Sequence, residues 1–415
     1  MKADEITTMN EVYQNIIAAS NNGTLCINDC QWLQQFNLTY QDVQFIMNLT
    51  SSMRTSSTKS SSNSNNVCYC NGTMRNIATE YRNVHGYVSL FVCIFGTLAN
   101  SFNIAVLTRK QMKTAPFAYI LTWLAITDML LMIEYIPFSL YMYIDSNSKI
   151  ERFSYGGAIF ILIHTHLSQV LHTMSICLTL TLAFWRLNTT RYPEKCSTLW
   201  SKKTCASAVK VAMVVPIVIC IPSYFMFGIH STVLYEKGEF HELYHLDLSD
   251  LAKAHNELLY IGNLWLYAVV IKLLPCIILA IISLALIKAL HSTTQRKEKL
   301  QNFTANLNSK KNAKLRRIRR RADRSSHMLI AILFLFLLTE FPQCILGLLS
   351  GILGRCFFKN CYHLFGEIMD ILALLNGAIN FILYCTMSKQ FRQAFAEIFH
   401  YVYFLNKKNT HEYHI

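Results

Sequence analysis

Seven apolar stretches dominate the chain, near residues 84 to 107, 116 to 143, 157 to 186, 205 to 228, 258 to 290, 326 to 352 and 363 to 386. Each can cross the roughly 30 Å hydrocarbon core of a bilayer, which takes about 20 helical residues. No water reaches that core to satisfy backbone N–H and C=O groups, so each stretch has to be a helix. The expected fold is an all-α membrane protein, a seven-transmembrane helix bundle over residues 84–387. A hydrophobic share of 53% against 15% charged is too oily for a soluble domain of 415 residues. The formal charge of +14 comes from Lys and Arg in short segments between apolar runs, with no folded basic face, so no nucleic-acid surface is expected.

The flanks differ from the bundle. Residues 1–83 are rich in Asn, Ser and Thr, and the stretch from Ser51 to Ser64 cannot bury enough apolar surface to order itself. Asn-X-Ser/Thr triplets at Asn22, Asn37, Asn48 and Asn71 suggest a glycosylated extracellular tail, while those at Asn188 and Asn302 are assigned to the cytoplasm. The opening MKADEITTMN has no apolar core, leaving targeting to the first apolar run. Cationic residues cluster after the first, third and fifth runs, as in Arg109 and Lys110, Lys202 and Lys203, and the series from Arg316 to Arg321. By the positive-inside rule those loops are cytoplasmic and the N-terminus lies outside. The loop after the fourth run is acidic, with Glu236, Glu239, Glu242 and Asp247, which agrees. Over residues 388–415, Phe391, Phe395, Ile398 and Phe399 recur at helical spacing, as in a short amphipathic helix 8 lying on the inner leaflet before a cytoplasmic tail.

Among the 14 cysteines, Cys93, Cys177, Cys220, Cys276 and Cys344 sit inside apolar runs and read as small hydrophobes. Cys26, Cys30, Cys68 and Cys70 fall in the polar tail and Cys356 with Cys361 in a short connection, where oxidation is expected if both regions face outside. Which of them pair is left open by the sequence.

Polar side chains inside a span cost a few kcal/mol unless partnered, so each is a functional candidate before it is interhelical glue. In the third run His164, Ser168, His172, Ser175, Thr179 and Arg186 fall at steps of three, four or seven and share one helix face. Such a ridge fits a ligand pocket above, with Gln169 beside it, and a switch below. Carboxylates recur toward the outer half of other spans: Glu134, Glu340, Glu367 and Asp370. A buried carboxylate needs a positive partner or a proton. The spans supply few Lys or Arg at that depth, so a cationic ligand group is the expected partner, with a protonated Glu340 as the alternative. Deeper, Asn100, Asp128, Ser175, Asn376 and Asn380 suit a sodium ion or a rearranging water network.

GTLAN around Asn100, LAITD around Asp128, Pro275, Pro342 and NGAINFILY ending at Tyr384 resemble the signature set of rhodopsin-type (class A) G-protein-coupled receptors over about residues 84–400. EYIPF, HTHLSQVLHTMSICLTLTLAFWR and TEFPQ are similar to the myosuppressin and FMRFamide-related neuropeptide receptors of invertebrates. That resemblance implies an amidated peptide ligand, a heterotrimeric G protein of the Gi/o type as partner, Arg186 as the switch arginine, and Asn380 with Tyr384 as an inner microswitch. It implies a sodium site of Asp128, Ser175, Asn376 and Asn380 as an allosteric element, no other cofactor and no catalysis. The guanidinium of an Arg-Phe-amide ligand would meet Glu134, Glu340 or Asp370, its ring near His172. Several residues depart from the family pattern: Trp185 precedes Arg186 where an acidic residue is usual, Leu187 and Asn188 follow it, Phe381 replaces a proline, and Ile161 stands where a disulfide-forming cysteine is expected.

His241, Glu242 and His245 spell the HExxH of zinc proteases, but in a loop with no domain around it. The seventh run has no lysine to hold retinal. Two readings stay beside the peptide receptor: a nematode-type chemosensory receptor for a small molecule, and a transporter or channel, against which the lack of visible inverted repeats counts.

Overall fold

A computed structural model describes Cys70 and residues 73–113, 116–144, 152–192, 201–236, 239–304, 330–331, 334–354, 357–387 and 391–398. The sequons at Asn22, Asn37, Asn48 and Asn71 and the cysteines Cys26, Cys30, Cys68 and Cys356 lie outside these residues.

Each of the seven apolar runs is helical over its described residues, save the end of the fourth. They are α1 (Thr73–Leu107), α2 (Pro116–Ser139), α3 (Tyr155–Arg191) and α4 (Lys202–Ile219). The fifth, α5, is one rod built from Asp250–Trp265, a π-helical segment Leu266–Leu273 and Leu274–Thr304. Then come α6 (Phe334–Leu353) and α7 (His363–Met387). Six of these are long and apolar enough to span a bilayer by length and composition; α4, of 18 residues, is shorter than its apolar run because the chain breaks at Cys220 and re-forms one turn, Ile221–Tyr224. Their outward faces are oily: Phe91 is 72% exposed, Ile281 61% and Phe334 63%. Such a surface is stable against lipid tails and not against water.

Proline shapes the rods. Pro275 has no N–H to give its preceding turn and its ring crowds the carbonyl four residues back, and the helix before it is wound wider. Leu274 N–H accordingly reaches back five residues to Val269 O. α2 contains Pro137 and ends in a π-helical turn, Leu140–Ile144, which lies after the proline and not before it. The start of α5 is fixed by Ser249, whose Oγ accepts from Ala252 N–H at 3.1 Å, with Asp250 in the first turn against the positive helix end.

The described residues form two compact units. The larger, from residue 69 to 147, 158 to 229 and 246 onward, holds the bundle. Within it α1 packs along both α2 and α7, where Gly96 and Gly377 lie against Met132 and let the backbones approach. One apolar cluster, with Leu124, Leu178, Trp185, Tyr384 and Phe391, fills the Arg186 end, and a second, with Met132, Leu171, Met174 and Leu374, fills the middle. The smaller unit includes residues 230–245, most of a two-stranded hairpin made of β1 (Phe227–Glu236) and β2 (Glu239–Leu248). In that unit Tyr244 N–H donates to Phe153 O at 2.7 Å.

Residues 391–398 form a helix, α8, that buries Phe391 and Ala394. Phe381 stands 5.6 Å from Phe395, 6.0 Å from Phe391 and 6.0 Å from Phe102 between ring centroids. The residue that replaces the family proline therefore clasps α8 to α7 and α1.

Cys70 and Cys361 are joined in a disulfide, which ties the chain just before α1 to the turn just before α7. Helices in lipid stay formed when they separate, so losing this bond is expected to cost about 2 kcal/mol, the low end of the range for native disulfides. Cys361→Ser should inactivate at lower temperature in detergent, and a reductant should lower the parent protein to the same point without moving the variant. A parent indifferent to reductant would show the two ends are not held this way.

Candidate functional site

The polar ridge of α3 faces inward and forms one wall of a cavity of about 370 Å3. The volume lies near the low end for sites that bury a drug-sized ligand. His164, Ser168, Gln169 and His172 line it from α3, Tyr135 and Phe138 from α2, Asn263 and Tyr267 from α5, Gln343 from α6, and Asp370 from α7. A hydrogen-bonded row crosses the wall, with Gln169 Nε2 donating to Ser223 Oγ at 3.1 Å and Ser223 Oγ donating to Asn263 Oδ1 at 2.9 Å.

The charge inventory of the lining is uneven. Among the described residues Asp370 is its one carboxylate, and no Lys or Arg lines it. The contact Asp370 has is weak, a Tyr135 hydroxyl 3.4 Å from Oδ2, and among the described residues no cation lies within ion-pair distance of it. Tyr135 in turn is 3.1 Å from His85 Nε2.

The other three carboxylates are already engaged and do not line the cavity. Glu134 lies against Nδ1 of His164, on whose ring Phe138 stacks at 3.5 Å between centroids. Glu367 takes Arg82 Nε at 3.1 Å and the Tyr143 hydroxyl at 3.4 Å. Glu340 Oε2 is bonded by Lys272 Nζ at 3.0 Å and by His172 Nε2 at 3.3 Å. The expectation that Glu340 has no cation at its depth is overturned by that lysine. Lys272 sits within the fifth apolar run, whose oily composition hides it, and an ionisable residue in a span is the signal that marks it.

Deeper in the bundle, Ser175 Oγ donates to Asp128 Oδ1 at 2.6 Å and Asn380 Nδ2 to Oδ2 at 3.2 Å. Asn100 Nδ2 donates to Gly377 O at 3.3 Å. Asn376 is half-buried and shares none of these bonds. Both Asp128 oxygens thus face proton donors, and Asn380 presents nitrogen where a hard cation needs oxygen. Asp128, Ser175 and Asn380 form a hydrogen-bonded network from which Asn376 stands apart, and a sodium ion held here would require Asn380 to turn its amide.

At the other end Arg186 holds its guanidinium 5.8 Å from the Trp185 ring, and Trp185 packs on Phe117 at 5.5 Å. Trp185, where an acidic neighbour was the family expectation, belongs to the apolar core beside buried Tyr384.

The family model for the serpentine type 7TM GPCR chemoreceptor Srw matches residues 87–401. The chain belongs to that receptor family. It is a multi-pass membrane receptor whose partner is a G protein. It is similar to the G-protein coupled receptor dmsr-1 of Caenorhabditis elegans, at 31% identity over 77% of this chain and 68% of the relative. It is also similar to the sex peptide receptor of Drosophila melanogaster, 27% identical over 81% and 77%, and to the FMRFamide receptor of the same fly, 24% identical over 76% and 54%. The receptor is not an enzyme. Its HExxH lies on β2, where residues four apart are roughly 13 Å apart along an extended strand, too far to share a zinc ion. Among the described residues no three His, Cys, Asp or Glu side chains converge on a metal site.

Proposed function

We propose that this receptor is activated at the plasma membrane by a short amidated neuropeptide of the Arg-Phe-amide kind, and that Asp370 takes the arginine. The observation that carries the reading is a carboxylate facing a cavity whose described lining holds no Lys or Arg, with His164 and Lys272 acting on it only from beyond ion-pair distance. A buried charge of that kind favours a ligand that brings the missing positive group, and guanidinium pairs with carboxylate through two parallel bonds. The ligand's ring would lie near His172, with His164, Ser168 and Gln169 along its side. The cavity is too small for more than the end of a peptide, leaving the rest to the loops.

The N-terminus is extracellular in this reading. Support comes from the cationic loops and from the Cys70–Cys361 bond, which needs an oxidising compartment on that side. Occupancy shifts the population toward the state in which Arg186 and the basic third inner loop, with Asn380 and Tyr384, admit a G protein of the Gi/o type. The relatives named for sex peptide and FMRFamide agree with a peptide ligand.

A peptide library applied to cells that express the receptor with a promiscuous G-protein reporter tests this. Arg-Phe-amide peptides should signal, and replacing their arginine by citrulline should abolish the response at the same dose. The chemoreceptor description of the family and the small cavity favour a second reading, a small-molecule ligand. A receptor silent to every peptide and responsive to a small organic cation would establish that one instead.

A further inference from the structure

Lys272 is the least expected side chain in the bundle. Its side chain is 0% exposed and that of its partner Glu340 1%. It lies within the π-helical segment Leu266–Leu273. An i to i+5 winding is out of register with the α-helix on either side, and such segments concentrate at functional sites. Val270 and Leu274 face outward at 37% and 48% exposure, while Lys272 turns into the bundle.

There it joins three helices. Lys272 Nζ donates to Glu340 Oε2 at 3.0 Å and to Gln343 Oε1 at 2.5 Å, both on α6 one turn apart. Glu340 also meets His172 Nε2 of α3 at 3.3 Å. His172 and Gln343 line the cavity, whereas Lys272 and Glu340 do not. The pair is thus screened from a ligand by the two residues a ligand would touch.

We infer that the Lys272–Glu340 pair is the joint through which an occupied cavity releases α6 from α5. A ligand group that hydrogen-bonds Gln343 or His172 takes an acceptor from Lys272 or a donor from Glu340. In a dry interior an ion pair holds only while its remaining hydrogen-bonding capacity is satisfied. Removing those supports weakens the α5–α6 contact that the pair makes. Lys272 and Glu340 are positioning residues in this account and not ligand contacts.

The test uses the full-length receptor in membranes with a panel of purified heterotrimeric G proteins and no ligand, so it is independent of which messenger the cavity takes. Nucleotide exchange per surface receptor is read for the parent, Lys272→Met, and the double variant Lys272→Met with Glu340→Leu. Basal exchange should rise about fivefold or more in both variants, the lower end of ordinary coupling between a site and a conformational state. The double variant carries no stranded charge and reaches the surface even where the single one does not, so it decides. A double variant with parental basal exchange overturns the inference, because any rise in Lys272→Met alone would then come from a lone buried carboxylate.

Discussion

Lys272→Met is expected to be among the most destabilising single substitutions in this receptor, at about 3–5 kcal/mol, the range for removing one partner of a buried ion pair. The reason lies in what is left behind. Glu340, 1% exposed, would keep His172 as its one basic neighbour among the described residues. Adding Glu340→Leu should recover most of the loss, because replacing both charges by apolar groups of similar volume is commonly neutral. Thermal unfolding of the solubilised receptor measures both. A double variant no more stable than the single one would mean that Lys272 contributes by packing against Tyr267, whose ring lies 5.7 Å from the ammonium, and not by charge.

Asp370→Asn should lower the potency of an Arg-Phe-amide peptide by about tenfold to a hundredfold, the equivalent of one lost charge-assisted contact of roughly 1.5–3 kcal/mol. The same peptide with citrulline for arginine should be weak on the parent and lose little more on the variant, since each change removes the same contact. Glu367→Gln is the control. Glu367 is held by Arg82 outside the cavity, so its loss should leave the arginine dependence in place. Additive effects of Asp370→Asn and citrulline would place the guanidinium elsewhere.

The helices were the most legible part of the sequence because lipid gives a backbone no alternative to internal hydrogen bonds. Their lengths were less so. The break at Cys220 that shortens α4 falls just before Pro222, which has no N–H to carry the ladder on, a signal that a count of apolar residues does not read. The hairpin β1–β2 is masked by the acidity of its stretch, which has no strict apolar alternation to mark it. Of the candidate site, the ridge from His164 to His172 was visible as a period on one helix. Which carboxylate stays unpaired was not, since that depends on neighbours from other helices: Lys272 and Arg82 reach Glu340 and Glu367 from spans far away in sequence. The Cys70–Cys361 bond was equally hidden, because cysteine counting supplies candidates and only proximity selects among them.

Phe381 divides the bundle into a frame and a moving part. A proline at that place would leave a gap in the backbone ladder and a hinge in α7. With phenylalanine, α7 runs unbroken from His363 to Met387, and the ring fastens it at once to Phe102 of α1 and to Phe391 and Phe395 of α8. The other end of the same two helices is stapled by sulfur. Held at both ends, α1 and α7 act as a chassis, and the travel needed to admit a transducer falls to α5 and α6. Amide exchange that quickens in those two helices and stays slow in α1 and α7 on stimulation is the behaviour such a division of labour requires.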